Sequence, residues 1–226
     1  MWELTYRISS LDDLAFGKDM RESLDILLET DVNEMGHVCF YGEAGRGKTS
    51  VARLISGKEG WGDKTEYDLS RHELQSAAEQ KRILQSISVV KGGGLRSFFG
   101  SGDSRRDLNV LDEFHLLHKS QQQQLNATLQ DEAQATCFIV ITNDIEKFAS
   151  NTLDRFRLYN FSVVDSERKQ VIKEQVRVAK RILTFFDEDE KLFTDDELTA
   201  IAEKSTRSHR QFVANLESAT RRKKRT

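Results

Sequence analysis

Residues Gly42-Glu43-Ala44-Gly45-Arg46-Gly47-Lys48-Thr49 carry the spacing G-x-x-x-x-G-K-[ST], between an apolar run, His37 to Tyr41, and a helix-like stretch from Ser50 to Ile55. The chemistry this spacing serves is phosphate binding. Glycines let the backbone curl until successive N–H groups face phosphate oxygens, and a helix starting at Lys48 adds its positive end. Lys48 would then reach the β- and γ-phosphates of a nucleoside triphosphate, and the Thr49 hydroxyl would ligate Mg²⁺. Gly42 through Ser50 are therefore the candidate nucleotide-binding residues. The strand, loop, helix context favours this over a glycine-rich turn with an incidental Lys-Thr.

Downstream, Asn109-Val110-Leu111-Asp112-Glu113 is a short apolar strand ending in two carboxylates. At the same sheet edge as the phosphate loop, Asp112 would hold Mg²⁺ through its water shell and Glu113 would polarise an attacking water. Taken alone, an Asp-Glu pair also fits a solvated strand end. A third strand, Thr136 to Thr142, ends at Asn143, a polar side chain suited to orienting water near a γ-phosphate. Asn151-Thr152-Leu153-Asp154-Arg155-Phe156-Arg157 then precedes the last strand, and an arginine there could neutralise charge in a transition state. Periodicity does not choose between the two arginines.

Positioning these groups requires alternating elements. The pattern predicts strands at 37–41, 63–69, 108–111, 136–142 and 156–161, with helices at 48–56, 71–88 and 119–130 between them. Such alternation implies an α/β fold with a parallel sheet covered on both faces. After Phe161 the period becomes helical, over 166–186, 194–203 and 208–224. We therefore expect a nucleotide-binding domain at 1–162 and a small helical lid domain at 163–226.

Composition sets the wider limits. A chain of 226 residues, 31% of them charged, can bury a real core, and no apolar run is long enough to cross a bilayer. A soluble, cytoplasmic or nuclear protein without membrane partners is expected. Cys39 and Cys137 lack metal-ligand spacing and read as small core hydrophobes. The formal charge of −3 includes five positive charges at 221–225, leaving −8 elsewhere, so nucleic acid could be bound only through a local patch. The tail reads as a solvated helix end or the cut edge of a longer chain, or else as a nucleic-acid contact. The glycine-rich span 91–107 carries +2 and is either a mobile insertion anchored by Phe98 and Phe99 or a nucleic-acid or partner contact, with Lys91, Arg96, Arg105 and Arg106 the candidates for DNA-backbone phosphates. Proline is absent, where about eleven would be usual at this length.

These blocks, in this order, resemble an AAA+ ATPase, and most of all the small motor subunits of sliding-clamp loaders (replication factor C and its phage counterparts). The opening, Trp2 to Gly17, is similar to that family's start, which implies adenine contacts from Tyr6 and Arg7. Asp112-Glu113-Phe114-His115 stands where cellular members carry Asp-Glu-Ala-Asp. Thr142-Asn143 matches the sensor-1 strand end, and Asp154-Arg155-Phe156 the arginine-finger motif, although only its arginine is kept and the triplet is equally close to Holliday-junction branch-migration motors. Arg207-Ser208-His209-Arg210 resembles the sensor-2 helix start and makes Arg210 the candidate to touch the γ-phosphate. The resemblance covers nearly the whole chain but not the collar domain that holds clamp-loader subunits in a ring.

What the resemblance implies is an ATP- and Mg²⁺-dependent motor subunit. Its partners would be like AAA+ subunits, a sliding clamp, and primer-template DNA gripped by the backbone. Glu113, Asn143, Arg155 and Arg210 would be its catalytic residues. Alternatives are a branch-migration or initiator-type motor, a scaffold that binds ATP with little turnover, and an engineered module. Ile8, Gly36, Glu43-Ala44, Ser150 and His209 stand where relatives commonly have proline, which suggests either a deliberately proline-free version or a natural lineage without it.

Overall fold

The computed structural model describes residues 1–90, 105–129 and 136–225. Its strands are β1 (Val38–Tyr41), β2 (Lys64–Asp68), β3 (Asp107–Asp112), β4 (Thr136–Thr142) and β5 (Arg157–Asn160). The helices are α1 (Trp2–Thr5), α2 (Lys18–Glu29), α3 (Lys48–Ser56), α4 (Ala77–Val90), α5 (Lys119–Leu129), α6 (Ser150–Leu153), α7 (Arg168–Phe185), α8 (Asp195–Glu203) and α9 (His209–Lys223). The chain forms two compact units, one of Met1–Leu28, Glu43–Leu54 and Phe161–Thr226, the other of Glu29–Gly42 and Ile55–Asn160.

The second unit holds the sheet, with strand order β2-β3-β4-β1-β5 and every pairing parallel. A parallel strand covered on both faces has no polar side, and all seven residues of β4 are accordingly buried. Leu111, Phe138 and Val140 pack against Ile83, Leu84 and Ile87 of α4 and Leu125 and Leu129 of α5. Cys39 lies in this core and Cys137 is buried elsewhere, on β4, and burial pushes both thiols up to about 12. The chain leaves β1 for the far edge at β2, returns through β3 and β4, and reaches β5 on the other side of β1. In such a sheet, ligands bind beyond the carboxyl ends of the strands where the order reverses. Tyr41, Asp112 and Thr142 end three strands at that one edge.

Two expectations need correction here. The helix predicted at 71–88 begins at Ala77, because the Ser76 hydroxyl accepts a hydrogen bond from Glu79 N at 3.2 Å and caps it. The stretch before it forms only a short 3₁₀ turn, His72–Leu74. Arg106 is not an exposed phosphate contact. It is buried, and its guanidinium donates to the carbonyls of Val32, Asn33, Met35 and Thr136 at 2.9, 3.2, 2.7 and 3.4 Å. Arg105 is exposed, while Lys91, Arg96, Phe98 and Phe99 lie outside the described residues.

In the first unit the helices α7, α8 and α9 enclose a core of Val178, Ala179, Ile182, Leu198, Phe212 and Leu216. A Thr194/Glu197 capping box starts α8, and the Ser208 hydroxyl caps α9 through Gln211 N. The basic tail is the end of α9. Lys223 meets Glu197 at 2.7 Å and Lys224 meets Glu188, and Arg221 pairs with Glu217. The amino-terminal segment belongs to this unit as well, with Trp2 stacked on Phe186 at 4.5 Å. Asp13 ties it to α7. Its buried carboxylate accepts from Ser9 N at 2.9 Å, Ser10 N at 3.0 Å, the Tyr6 hydroxyl at 2.9 Å and Arg181 Nη2 at 3.0 Å. Burial alone would raise its pKa, but these bonds outweigh burial and hold it at about 2.

His209, the first residue of α9, is buried, and burial together with the nearby Arg46 charge holds it down at about 4. An unfolded chain protonates this imidazole near 6.5, so between those values the unfolded state binds the extra proton. Stability is therefore full above pH 6.5 and falls as the pH drops through the window, by up to about 3 kcal/mol. Asp13 adds a further loss as pH falls from about 4 toward 2. Urea midpoints measured from about pH 7.5 down to 5 should fall in the parent and flatten in His209→Leu. Equal slopes in the two proteins would contradict this assignment.

Candidate functional site

The phosphate-loop residues and the candidate carboxylates fall in different units, so each group is described within its own. Beyond Tyr41 the chain turns through Gly42, Gly45 and Gly47, with φ of 118°, 74° and 92°. Side chains rarely tolerate that region. At Gly45 space forbids one as well, since a Cβ would lie 2.3 Å from Ser208 Oγ. The reason is close approach of the start of α9, because His209 N donates to Gly45 O at 2.8 Å. α3 begins at Lys48, with Val51 N donating to Gly47 O at 2.9 Å. Lys48 is buried, and its ammonium donates to Glu43 O at 2.7 Å.

Arg46 does something its motif position does not announce. Its buried guanidinium donates to Phe161 O at 3.1 Å, Thr206 O at 3.0 Å and Ala15 O at 3.3 Å. The side chain thus pins the loop to the amino-terminal segment and to the chain on either side of the helices α7 and α8, and burial lowers its pKa to about 10. Arg210 is exposed in the first turn of α9, its backbone N 3.4 Å from Gly45 O. The Tyr6 hydroxyl is given to Asp13, its ring meets Phe185 edge-on, and Arg7 is exposed. Ala44 is exposed, whereas Glu43, Thr49 and Ser50 are half-buried.

In the other unit, Asp112 ends β3, and its Oδ1 accepts from Glu113 N at 2.9 Å. That bond supports a left-handed backbone at Glu113, φ 57° and ψ 41°, a conformation that costs a non-glycine residue on the order of 1 kcal/mol. The turn carries the Glu113 carboxylate to Asn143, whose Nδ2 donates to Oε1 and Oε2 at 3.1 and 3.2 Å. His115 Nδ1 lies 3.4 Å from the same carboxylate and 3.3 Å from Thr142 Oγ1. So Asp112, Glu113 and Asn143 do assemble at one sheet edge, with His115 as a fourth member that sequence reasoning had given no role. Its position three residues beyond Asp112 was the available signal. Arg155 is elsewhere, exposed after α6 with its N donating to Thr152 O.

Thr49 in one unit and Asp112 in the other each carry a hard oxygen of the kind Mg²⁺ takes, and no group of three or more His, Cys, Asp or Glu among the described residues could hold a metal by itself. Among the described residues, no helix is long and apolar enough to cross a membrane.

Comparison with known proteins gives a consistent picture. The sequence profile of the ATPase family associated with various cellular activities (AAA) matches residues 38–163. The chain is 25% identical over 227 residues to replication factor C subunit 4 of Caenorhabditis elegans, covering 96% of this chain and 62% of that protein. It is 26% identical over 219 residues to the replication factor C small subunit of Natronomonas pharaonis, covering 97% and 62%. The chain thus spans less than two thirds of the length of these relatives. Among solved structures, the Thermotoga maritima RuvB Holliday junction branch migration motor superposes with a TM-score of 0.69 at 20% identity, over 96% of this chain and 65% of that one. That likeness concerns the fold.

Proposed function

Because the chain belongs to the AAA family of ATPases, we propose that it binds and hydrolyses ATP as a motor subunit of a DNA sliding-clamp loader. The observation that carries this reading is the similarity to replication factor C small subunits over nearly the whole chain. In this reading the backbone of Gly42 to Thr49 cradles the phosphates, Ser50 closes the first turn, and Lys48 exchanges the Glu43 carbonyl for phosphate oxygens. Thr49 and Asp112 would hold Mg²⁺, which would supply charge neutralisation to the phosphates. Glu113 orients the attacking water, Asn143 aligns the γ-phosphate with it, and Arg210 senses the phosphate from the lid. Tyr6 and Arg7 lie on the segment that would border the adenine. Arg155 acts on the nucleotide of a neighbouring subunit, and the exposure of its side chain suits that role.

The lid is the moving part. Arg46, His209 and Gly45 join α9 and the amino-terminal segment to the phosphate loop, so a change in the loop on hydrolysis is felt by the lid. ATP would favour an assembly that grips DNA, and hydrolysis would release it. The DNA contact would be to the backbone, because a motor that loads clamps anywhere must ignore sequence.

A turnover assay tests this against the branch-migration alternative. Primer-template DNA together with a sliding clamp should stimulate hydrolysis, and DNA binding should weaken steeply with salt. Stimulation by four-way junctions with no dependence on the clamp would instead select the branch-migration reading.

A further inference from the structure

We propose that His115 is a positioning residue for Glu113, holding its carboxylate together with Asn143 through a proton fixed on Nδ1. The inference rests on the reading of Glu113 as the carboxylate that orients water.

The tautomer follows from counting donors. Thr142 Oγ1 has one proton and gives it to Asp144 O at 3.0 Å, while accepting from Asp144 N at 3.0 Å. Toward His115 Nδ1, at 3.3 Å, this oxygen can therefore only accept. The second neighbour of Nδ1, Glu113 Oε2 at 3.4 Å, is an acceptor whenever the carboxylate is ionised. Two acceptors facing one ring nitrogen require a proton on it. Nδ1 thus has Thr142 Oγ1 at 3.3 Å and Glu113 Oε2 within ion-pair distance at 3.4 Å, so the buried Thr142, at the end of β4, orients the imidazole that in turn steadies Glu113. A second, left-handed constraint at the Glu113 backbone sets the direction from which the side chain arrives. Three fixed points, the backbone turn, Asn143 Nδ2 and His115 Nδ1–H, then define the carboxylate, and water-orienting power depends on such definition.

Two amide replacements separate this role from simple packing. In His115→Asn the shorter side chain would present an amide N–H near the place of Nδ1, whereas in His115→Gln the amide would sit one bond further out, near the place of Nε2. His115→Ala should lower kcat about 10–100-fold, the worth of a hydrogen bond to a charged group, with KM for ATP unchanged. His115→Asn should recover most of the loss and His115→Gln should not. Long-range ¹H–¹⁵N spectra of the ¹⁵N-histidine protein, with His115 assigned by its loss in His115→Asn, should show the proton on Nδ1.

A proton on Nε2 alone, parental turnover in His115→Ala, or equal behaviour of the two amide variants would overturn the proposal. If Glu113→Gln loses turnover while His115→Ala keeps it, only this inference falls. If Glu113→Gln turns over at the parental rate, the reading of Glu113 falls and the positioning role goes with it, whatever the spectra show of the contact.

Discussion

Mixing Arg155→Ala with Lys48→Ala should restore ATP hydrolysis that neither protein performs alone. Arg155 is exposed and follows α6, where it can be offered to a second copy or a like subunit. Isolated chains should accordingly be poor ATPases, with activity per chain rising as concentration or partner subunits bring a finger to each nucleotide. An arginine supplied in trans is worth about 10³–10⁵ in rate, so Arg155→Ala should abolish that rise while leaving nucleotide affinity nearly intact. Lys48→Ala should lose nucleotide binding, since it removes the ammonium that the proposed function places on the phosphates. At a mixed interface the intact nucleotide site of the first variant meets the intact arginine of the second, and part of the activity returns. Full activity of Arg155→Ala at high dilution would make this arginine structural or cis-acting. A mixed assembly, verified as mixed but without rescue, would say the same.

Glu113→Gln should keep ATP binding and lose turnover by about 10²–10⁴-fold. The amide is nearly isosteric, so the left-handed turn and the Asp112 Oδ1 to Glu113 N bond have no reason to change. What goes is the negative oxygen pair proposed to polarise water, while Lys48, Thr49 and Asp112, proposed for phosphate and metal, are kept. Single-turnover hydrolysis beside equilibrium binding of a fluorescent ATP analogue separates the two effects. A parental rate would remove Glu113 from the catalytic role.

The parallel sheet was legible because its central strands are continuous apolar runs and its helices alternate with them. β4 and α3 were read to the residue, at 136–142 and 48–56. The turn and helix start of the candidate phosphate loop were legible because positive φ at Gly42, Gly45 and Gly47 calls for glycine. What stayed hidden was set by contacts between residues far apart in sequence. Arg46 meets Thr206 across 160 positions, and Asp13 meets Arg181 across 168; no local period encodes either. Arg46 inside the loop motif looked like a phosphate ligand and Arg106 like a surface cation, yet both guanidinium groups are spent on buried carbonyls. The left-handed turn that brings Glu113, His115 and Asn143 together is likewise invisible in an Asp-Glu-Phe-His string.

Capture of a ring-shaped sliding clamp by the protein in a non-hydrolysable ATP analogue tests the central claim most directly. The clamp-loader reading predicts retention that requires the analogue and Mg²⁺, disappears with ADP, and is lost in Lys48→Ala, which cannot bind the nucleotide. Equal retention with ADP, or none in an assembly shown to bind the analogue and primer-template DNA, would contradict it.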